Sequence, residues 1–485
     1  MSEPPSTETT STGPAGRPRV DDEYTLLEFI SQLGIAMAAA GQPVSDNSTS
    51  LMRIAQAYGV EVQVTIVPNL LIIKLGGRES STLDMASGTN RTFRLDQTAD
   101  VFDLVRQAER AAISPSEGLQ RLREIERKPP RYGTEVRIVG YAMIVVGIGL
   151  ILEGSLSALV TCVFLGLLVG EFKALSEGHR TAEVLLPVMS SLAVGVIVFA
   201  IVKADLVSGP VLLLIPPVVT FLPGGILTTA MIELANGDAI SGASRIVAGA
   251  TALLLLVFGY VVAAELVGLP AAEAFAHDPK PLFGWWAPWI GVLIYGVGNY
   301  FHFTAPRHSL PWLCLVLYVA WIGQQIGGEF LGGYLSGFAG AVAMAPVAYW
   351  IERRPGAPPA LVTFLPGFWL LVPGSLGLVG LTQLVSEDGQ AGLQTFGDMI
   401  FTIVAIALGV MVGVTIVQPL ANPLSRLPLR FERALGHVVG KAVVAVKNTS
   451  EAAQSELDRA NKTANEKTSQ VQDDPTATNP RRRPD

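Results

Sequence analysis

The chain has 485 residues, half of them apolar and only 15% charged, with a formal net charge of −7. A soluble globular protein carries charge on about a quarter of its residues, so this balance excludes one as a description of the whole chain. The two cysteines, Cys162 and Cys314, each sit in an apolar run, which excludes a disulfide framework and a cysteine-rich metal centre and leaves small buried hydrophobes.

Residues 1–20 are polar and rich in Pro, Ser and Thr; they are expected to be disordered and show no signal-peptide pattern. Residues 21–130 have an ordinary charge density and predict a small α+β domain. The apolar spacing of "YTLLEFISQLGIAMAAAG" predicts a helix that stops at Gly41. "STSLMRIAQAYG" predicts a second, capped by Ser48 and stopped at Gly59. "VEVQVTIVP" and "NLLIIKLGG" read as two strands joined near Pro68-Asn69, and "RTFRLD" as a third. Helices are expected over about 98–112 and 116–127, the latter opened by Ser114-Pro115. Asp84, Asp96 and Asp100 form no nucleophile–base pattern, so docking or regulation is the expected role of this part rather than catalysis.

From Arg137 to about Pro419 the chain is a series of apolar runs such as "IVGYAMIVVGIGLIL", and runs near 20 residues match the bilayer at helical rise. Ten candidate spans lie near residues 136–153, 155–170, 184–202, 206–233, 244–268, 285–302, 309–326, 332–350, 359–385 and 393–417. The fourth and ninth are too long for straight crossings and contain Pro-Gly pairs, so both are expected to be bent or broken. Residues 206–215 read as an outer re-entrant piece. With the N-terminal domain inside, the inner loops hold Lys173, Arg180, Arg245, Arg307, Arg353 and Arg354, and the outer loops only Lys203 and Lys280. This bias predicts both termini in the cytosol. In the tail, "LRFERALGHVVGKAVVAV" predicts an amphipathic helix on the inner membrane surface, followed by a disordered end.

The hexapeptide "VTFLPG" occurs at residues 219–224, in the fourth span, and again at 362–367, in the ninth. "GEF" echoes it at 170–172, after the second span, and at 328–330, after the seventh. The matches divide the spans into two groups of five, over 131–270 and 271–419. Five is odd, so the second group enters the bilayer from the opposite side. The expected fold is a polytopic α-helical membrane protein built as two inverted five-helix repeats, a secondary-transporter arrangement. A Pro-Gly break frees backbone groups that hydrocarbon tolerates only in a cavity wall or packed in protein. The expected substrate path is therefore Thr220, Pro223, Gly224, Gly225, Thr363, Pro366 and Gly367. Glu171 and Glu329, at matching places in the two groups, and Asp398 in the tenth span are candidates for gating or coupling; Glu265 is weaker. Asn299, Gln324 and Gln325 can hydrogen-bond a substrate or link helices. Gly333-x-x-x-Gly337 suggests close helix packing, and Trp285, Trp286 and Trp289 an outer aromatic belt. The sequence contains no P-loop, His-Glu-x-x-His or Gly-x-Ser-x-Gly, its five histidines lack ligand spacing, and "GGRESS" at 76–81 reads as a turn. No metal, cofactor or nucleic acid is expected.

Three stretches, "GQPVSDNSTSLMRIAQAYGVEVQV", "SPSEGLQRLREIE" and "IELANGDAISGASRIVAGA", resemble the threonine/serine exporter family, and the second half resembles that family's companion membrane domain. The resemblance spans residues 24–417. It implies a secondary active exporter of threonine and serine in the plasma membrane, driven by the proton-motive force, and not an enzyme. It carries over Pro223-Gly224-Gly225, Pro366-Gly367, and Glu233 with Asn236-Gly237-Asp238, adding Glu233 and Asp238 to the coupling candidates. The implied partners are the amino acid, protons, the lipid bilayer and, as an option, further copies of the chain. Two alternatives stand beside it: a membrane-anchored enzyme whose chemistry lies in residues 1–130, and a receptor or scaffold that binds without flux.

Overall fold

The computed structural model describes residues 23–67, 70–75, 82–87, 92–152, 156–206, 211–269, 284–371, 378–380 and 389–421. The polar head, the "GGRESS" loop and the tail with its expected amphipathic helix lie outside these residues.

The N-terminal layer consists of α1 (Glu23–Ala39), α2 (Val44–Ala57), β1 (Val62–Val67), β2 (Leu70–Leu75), β3 (Thr82–Ser87), α3 (Leu95–Ala108) and α4 (Pro115–Arg127). The strands form an antiparallel sheet in the order β1-β2-β3, with Val62 opposite Leu75 and Leu70 opposite Ser87. Phe29 and Leu33 of α1 pack with Leu51 of α2, Ile73 of β2, Leu104 of α3 and Leu122 of α4 in one apolar core. Gly41 (φ +90°) and Gly59 (φ +81°) take left-handed backbone at the ends of α1 and α2, where a side chain would be strained. Ser114 caps α4 by accepting the Glu117 N–H at 3.3 Å. Tyr58 follows α2, and its hydroxyl donates to the Ile113 carbonyl at 2.5 Å; burial pushes this phenol up to about 12.

Two expectations are corrected here. α2 begins at Val44 after Pro43, not at Ser48, because proline presets the backbone angle for a helix start. "RTFRLD" is not a strand. Its Arg94 N-caps α3, where the Arg94 N–H donates to the Gln97 side chain at 3.2 Å, and the third strand lies earlier, at Thr82–Ser87.

The apolar part contains α5 (Thr134–Ile151), α6 (Leu156–Ser176), α7 (Arg180–Lys203), α8 (Val211–Val218), a 3₁₀ turn (Val219–Phe221), α9 (Gly224–Ala235), α10 (Ala239–Val267), α11 (Ala287–His302), α12 (Leu310–Leu331), α13 (Gly333–Glu352), α14 (Ala360–Leu371) and α15 (Gly389–Ala421). Among the described residues six helices are long and apolar enough to cross a membrane: α5, α6, α7, α10, α12 and α15. The pair formed by α8 with its 3₁₀ turn and α9, bent by 54°, makes a seventh if counted as one span. The 16 residues of α11 and 12 of α14 fall short of the ~20 a straight crossing needs. α13, of 20 residues, is not among the six.

α5 and α11 meet backbone to backbone. A Cβ on Gly140 would lie 2.7 Å from the His302 nitrogen, and one on Gly298 2.7 Å from the Gly140 carbonyl. Seven residues on, a Cβ on Gly147 would lie 2.6 Å from the Tyr295 nitrogen, and one on Gly291 2.8 Å from the Gly147 carbonyl. Gly140 thus faces Gly298 while Gly147 faces Gly291, so the helices run antiparallel with a reciprocal seam. Glycine also seats α10 on α7, where Gly259 faces Ser191, and α15 on α13, where Gly409 faces the Phe338 carbonyl. Of Gly333-x-x-x-Gly337, Gly337 packs on Ile406, whereas Gly333 faces open space.

A side chain in the seam forces backbones apart. Gly147→Val is expected to destabilise the protein by about 1–3 kcal/mol in detergent unfolding, as overpacking does. Gly133→Ala, where a Cβ meets nothing within 4 Å, serves as control and leaves stability unchanged.

Candidate functional site

The two hexapeptides fold differently. In the first, Pro216 and Pro217 lie inside α8, Leu222 is extended, and Pro223 precedes the start of α9 at Gly224. The second copy is not broken at Pro366-Gly367: both residues lie inside α14. The difference follows from the flanking prolines. Pro216 and Pro217 sit within a helix and remove its amides, whereas Pro358 and Pro359 immediately precede α14, where a helix has no use for those amides. The residues that follow, 372–377, lie outside the described residues.

Three wholly buried tyrosines hold these proline segments. The Tyr141 hydroxyl of α5 donates to the Pro217 carbonyl at 2.7 Å, and that of Tyr260 in α10 to the Leu214 carbonyl at 2.6 Å. The Tyr295 hydroxyl of α11 donates to the Pro366 carbonyl at 2.9 Å. α9 and α14 come together just past the first copy, where a Cβ on Gly225 would lie 3.9 Å from Leu365 and 4.0 Å from Phe368.

Lys173, near the end of α6, reaches the bend. Its Nζ donates to Thr220 Oγ1 at 3.1 Å and lies 4.7 Å from the ring centre of Tyr141, 5.3 Å from that of Phe221 and 5.4 Å from that of Phe303. Thr220 Oγ1 is also 3.1 Å from the Tyr141 hydroxyl. The Tyr141 proton is committed to Pro217, so Thr220 donates to Tyr141 and accepts from Lys173. The chain of donors therefore runs Lys173, Thr220, Tyr141, Pro217 carbonyl. The His302 ring lies 4.9 Å from that of Tyr141, tilted at 59°, and its Nδ1 donates to the Arg137 carbonyl at 2.9 Å. Phe303 packs 4.8 Å from Trp369, which follows the second hexapeptide.

The N-terminal layer docks on this corner. Leu95 N–H, at the start of α3, donates to the carbonyl of Phe303 at 3.2 Å. The Thr304 hydroxyl donates to the buried Asp96 carboxylate at 3.0 Å, which also pairs with Arg94 at 3.1 Å and Lys128 at 3.7 Å. In the last turn of α9, Glu233 is fully buried and accepts from Arg245 Nε at 2.9 and 3.0 Å and from Val44 N–H of α2 at 3.3 Å. Asn236 donates to Ser45 at 3.1 Å. α9 therefore links the bend to the layer.

Other expected residues lie elsewhere. Thr363 is buried and its hydroxyl returns to the Ala360 carbonyl of its own helix at 2.9 Å. Gly367 faces Met344. Glu171, Glu329 and Glu265 are exposed on their helices, Asp398 is half-buried, and the half-buried Asp238 precedes α10. Asn299 is wholly buried and donates to the Tyr295 carbonyl at 2.8 Å; Gln324 donates to the Leu371 carbonyl at 3.4 Å. Of the expected path, Thr220, Pro223, Gly224 and Gly225 gather at the bend, whereas Pro366 lies within α14 and is held by Tyr295. Sequence reasoning took Lys173 for a loop charge and passed over Tyr141 and Phe303. The available signal was a single lysine and a single tyrosine in otherwise apolar helical runs.

Residues 28–267 match a family described as "Putative threonine/serine exporter", and residues 289–416 a family described as "Threonine/Serine exporter, ThrE". Between them they span most of the chain. No curated protein and no solved structure matches it.

Arg245→Ala strands a buried carboxylate and is expected to cost ~3 kcal/mol in thermal unfolding, whereas Glu233→Gln with Arg245→Met recovers a large part of that loss. Tyr141→Phe leaves the Pro217 carbonyl without its hydroxyl donor and is expected to cost ~1 kcal/mol by the same assay, as is Tyr295→Phe at Pro366.

Proposed function

The chain belongs to the threonine/serine exporter family, and from that premise we propose that it is a secondary active exporter, which moves threonine and serine out of the cell across the plasma membrane, driven by the proton-motive force. It is a multi-pass membrane protein. The observation that carries the transport reading is the bent α8–α9 pair, with a polar corner of Thr220, Lys173 and Tyr141 at the bend and with α9 packed on the helix that holds the second hexapeptide.

A zwitterion needs opposite partners in a site that excludes bulk water. At the bend α8 ends in carbonyls, a negative pole, and α9 begins in the unpaired amides of a helix N-terminus, a positive pole. A broken helix thus offers both ends to one small solute. Gly224 and Gly225 present backbone without a side chain in the way.

Two further observations support ten spans in two inverted halves. The seam between α5 and α11, the first helices of the two halves, is antiparallel and reciprocal at equal spacing. The third and fifth helices pair through glycine in each half, α7 with α10 and α13 with α15. Orientation follows from charge. Arg137, Lys173 and Arg245 lie at the end that carries the N-terminal layer, as the cytosolic face requires if basic residues stay inside. Both termini are then cytosolic. Glu171, Glu329 and Asp398 remain the proton-coupling candidates among the acidic residues, whereas Glu233 is engaged by Arg245 and Val44.

Purified protein in proteoliposomes loaded with labelled threonine is expected to release it faster than empty-protein vesicles, with a rate that follows an imposed pH gradient and falls when a protonophore collapses it. Flux no greater than in protein-free vesicles sinks the exporter reading. Flux indifferent to the gradient sinks proton coupling alone.

A further inference from the structure

We propose that Lys173 is the counter-charge that grips the carboxylate of the transported amino acid. This rests on the exporter reading and gives its site a named anchor. Three observations carry it.

Lys173 Nζ is enclosed by one hydroxyl and three aromatic faces, and no carboxylate of the described residues lies within ion-pair distance of it. The acidic residues beside it in the chain are engaged or exposed: Glu177, just past α6, pairs with Arg137, and Glu171 on α6 is exposed. An ammonium held among aromatic faces is costly to keep without an anion, and such cations are found paired. Aromatic faces offset only part of that cost.

The donor order at the bend gives direction. Thr220 spends its proton on Tyr141 and Tyr141 spends its own on the Pro217 carbonyl, so one ammonium proton of Lys173 goes to Thr220 and the others remain available to a ligand. The ligand must be an acceptor. Four residues after Thr220, α9 begins at Gly224, and its first amides and dipole favour an anion as well. Two independent positive features therefore meet at one corner.

The charges nearest beyond the cage, Arg137 and Glu177, are paired with each other. His302 donates its Nδ1–H to Arg137, and Phe303 and Trp369 are apolar. A carboxylate fits this corner, and the ammonium of the same molecule is directed away from it.

The test compares threonine with threoninol, in which an alcohol replaces the carboxylate, by ligand-induced thermal stabilisation of the full-length purified protein. The wild-type chain is expected to bind threonine at least about tenfold more tightly than threoninol, the range of a charge-assisted hydrogen bond. Lys173→Gln is expected to bring that ratio close to one by weakening threonine and leaving threoninol unchanged, while Lys173→Arg keeps most of it. Should Lys173→Gln not fold, Lys173→Met, of similar length and suited to the aromatic cage, is read in its place. A purely structural lysine would weaken both ligands together and leave the ratio intact, which overturns the assignment, as does a wild-type ratio near one. A wild-type chain that binds neither threonine nor serine overturns the exporter reading and this inference with it.

Discussion

A buried tyrosine hydroxyl needs an acceptor, and three of them in this protein find one on the backbone of a proline-bearing segment. Tyr141, Tyr260 and Tyr295 come from three different helices, and each ends on a carbonyl of a proline-bearing segment. An unpaired backbone group in such surroundings costs several kcal/mol, so these bonds decide where the segments can sit. The bend of α8 and α9, the position of Thr220 and the approach of Lys173 all follow from the placement of Tyr141.

The N-terminal layer is joined to the same machinery by hydrogen bonds rather than by an apolar face alone. At one point α3 holds the backbone of Phe303, an aromatic wall of the lysine site. At the other, α2 presents its first amide to Glu233, where the helix dipole and Arg245 both favour the carboxylate. A single short helix, α9, connects these two contacts through the bend. The layer therefore senses α9 at its far end and touches the site at its near end.

Much of this was legible in the chain itself. The hydrophobic runs placed the long helices, because length and apolarity are local properties. The hexapeptide pair pointed to the bend, and Gly41, Gly59 and Ser114 marked helix ends where backbone geometry or a cap demands those residues. The second copy failed as a break because the outcome depended on where the preceding prolines fell relative to the helix start, which the hexapeptide alone does not encode. Lys173 was hidden for a similar reason. Near the end of a span a lysine reads as an interfacial charge, and only tertiary packing turns its amine onto Thr220. The Gly140–Gly147 and Gly291–Gly298 spacings were present in the sequence, but apolar helices use glycine freely, and their reciprocity emerges only when the two helices meet.

That meeting has a mechanical consequence. Where backbones touch without intervening side chains, neither sliding nor separation is open to α5 and α11, because a shift of one residue drives a Cβ into a peptide group. Swivelling about the contact remains. Such a swivel would carry with it the tether that each helix extends, Tyr141 to Pro217 from α5 and Tyr295 to Pro366 from α11.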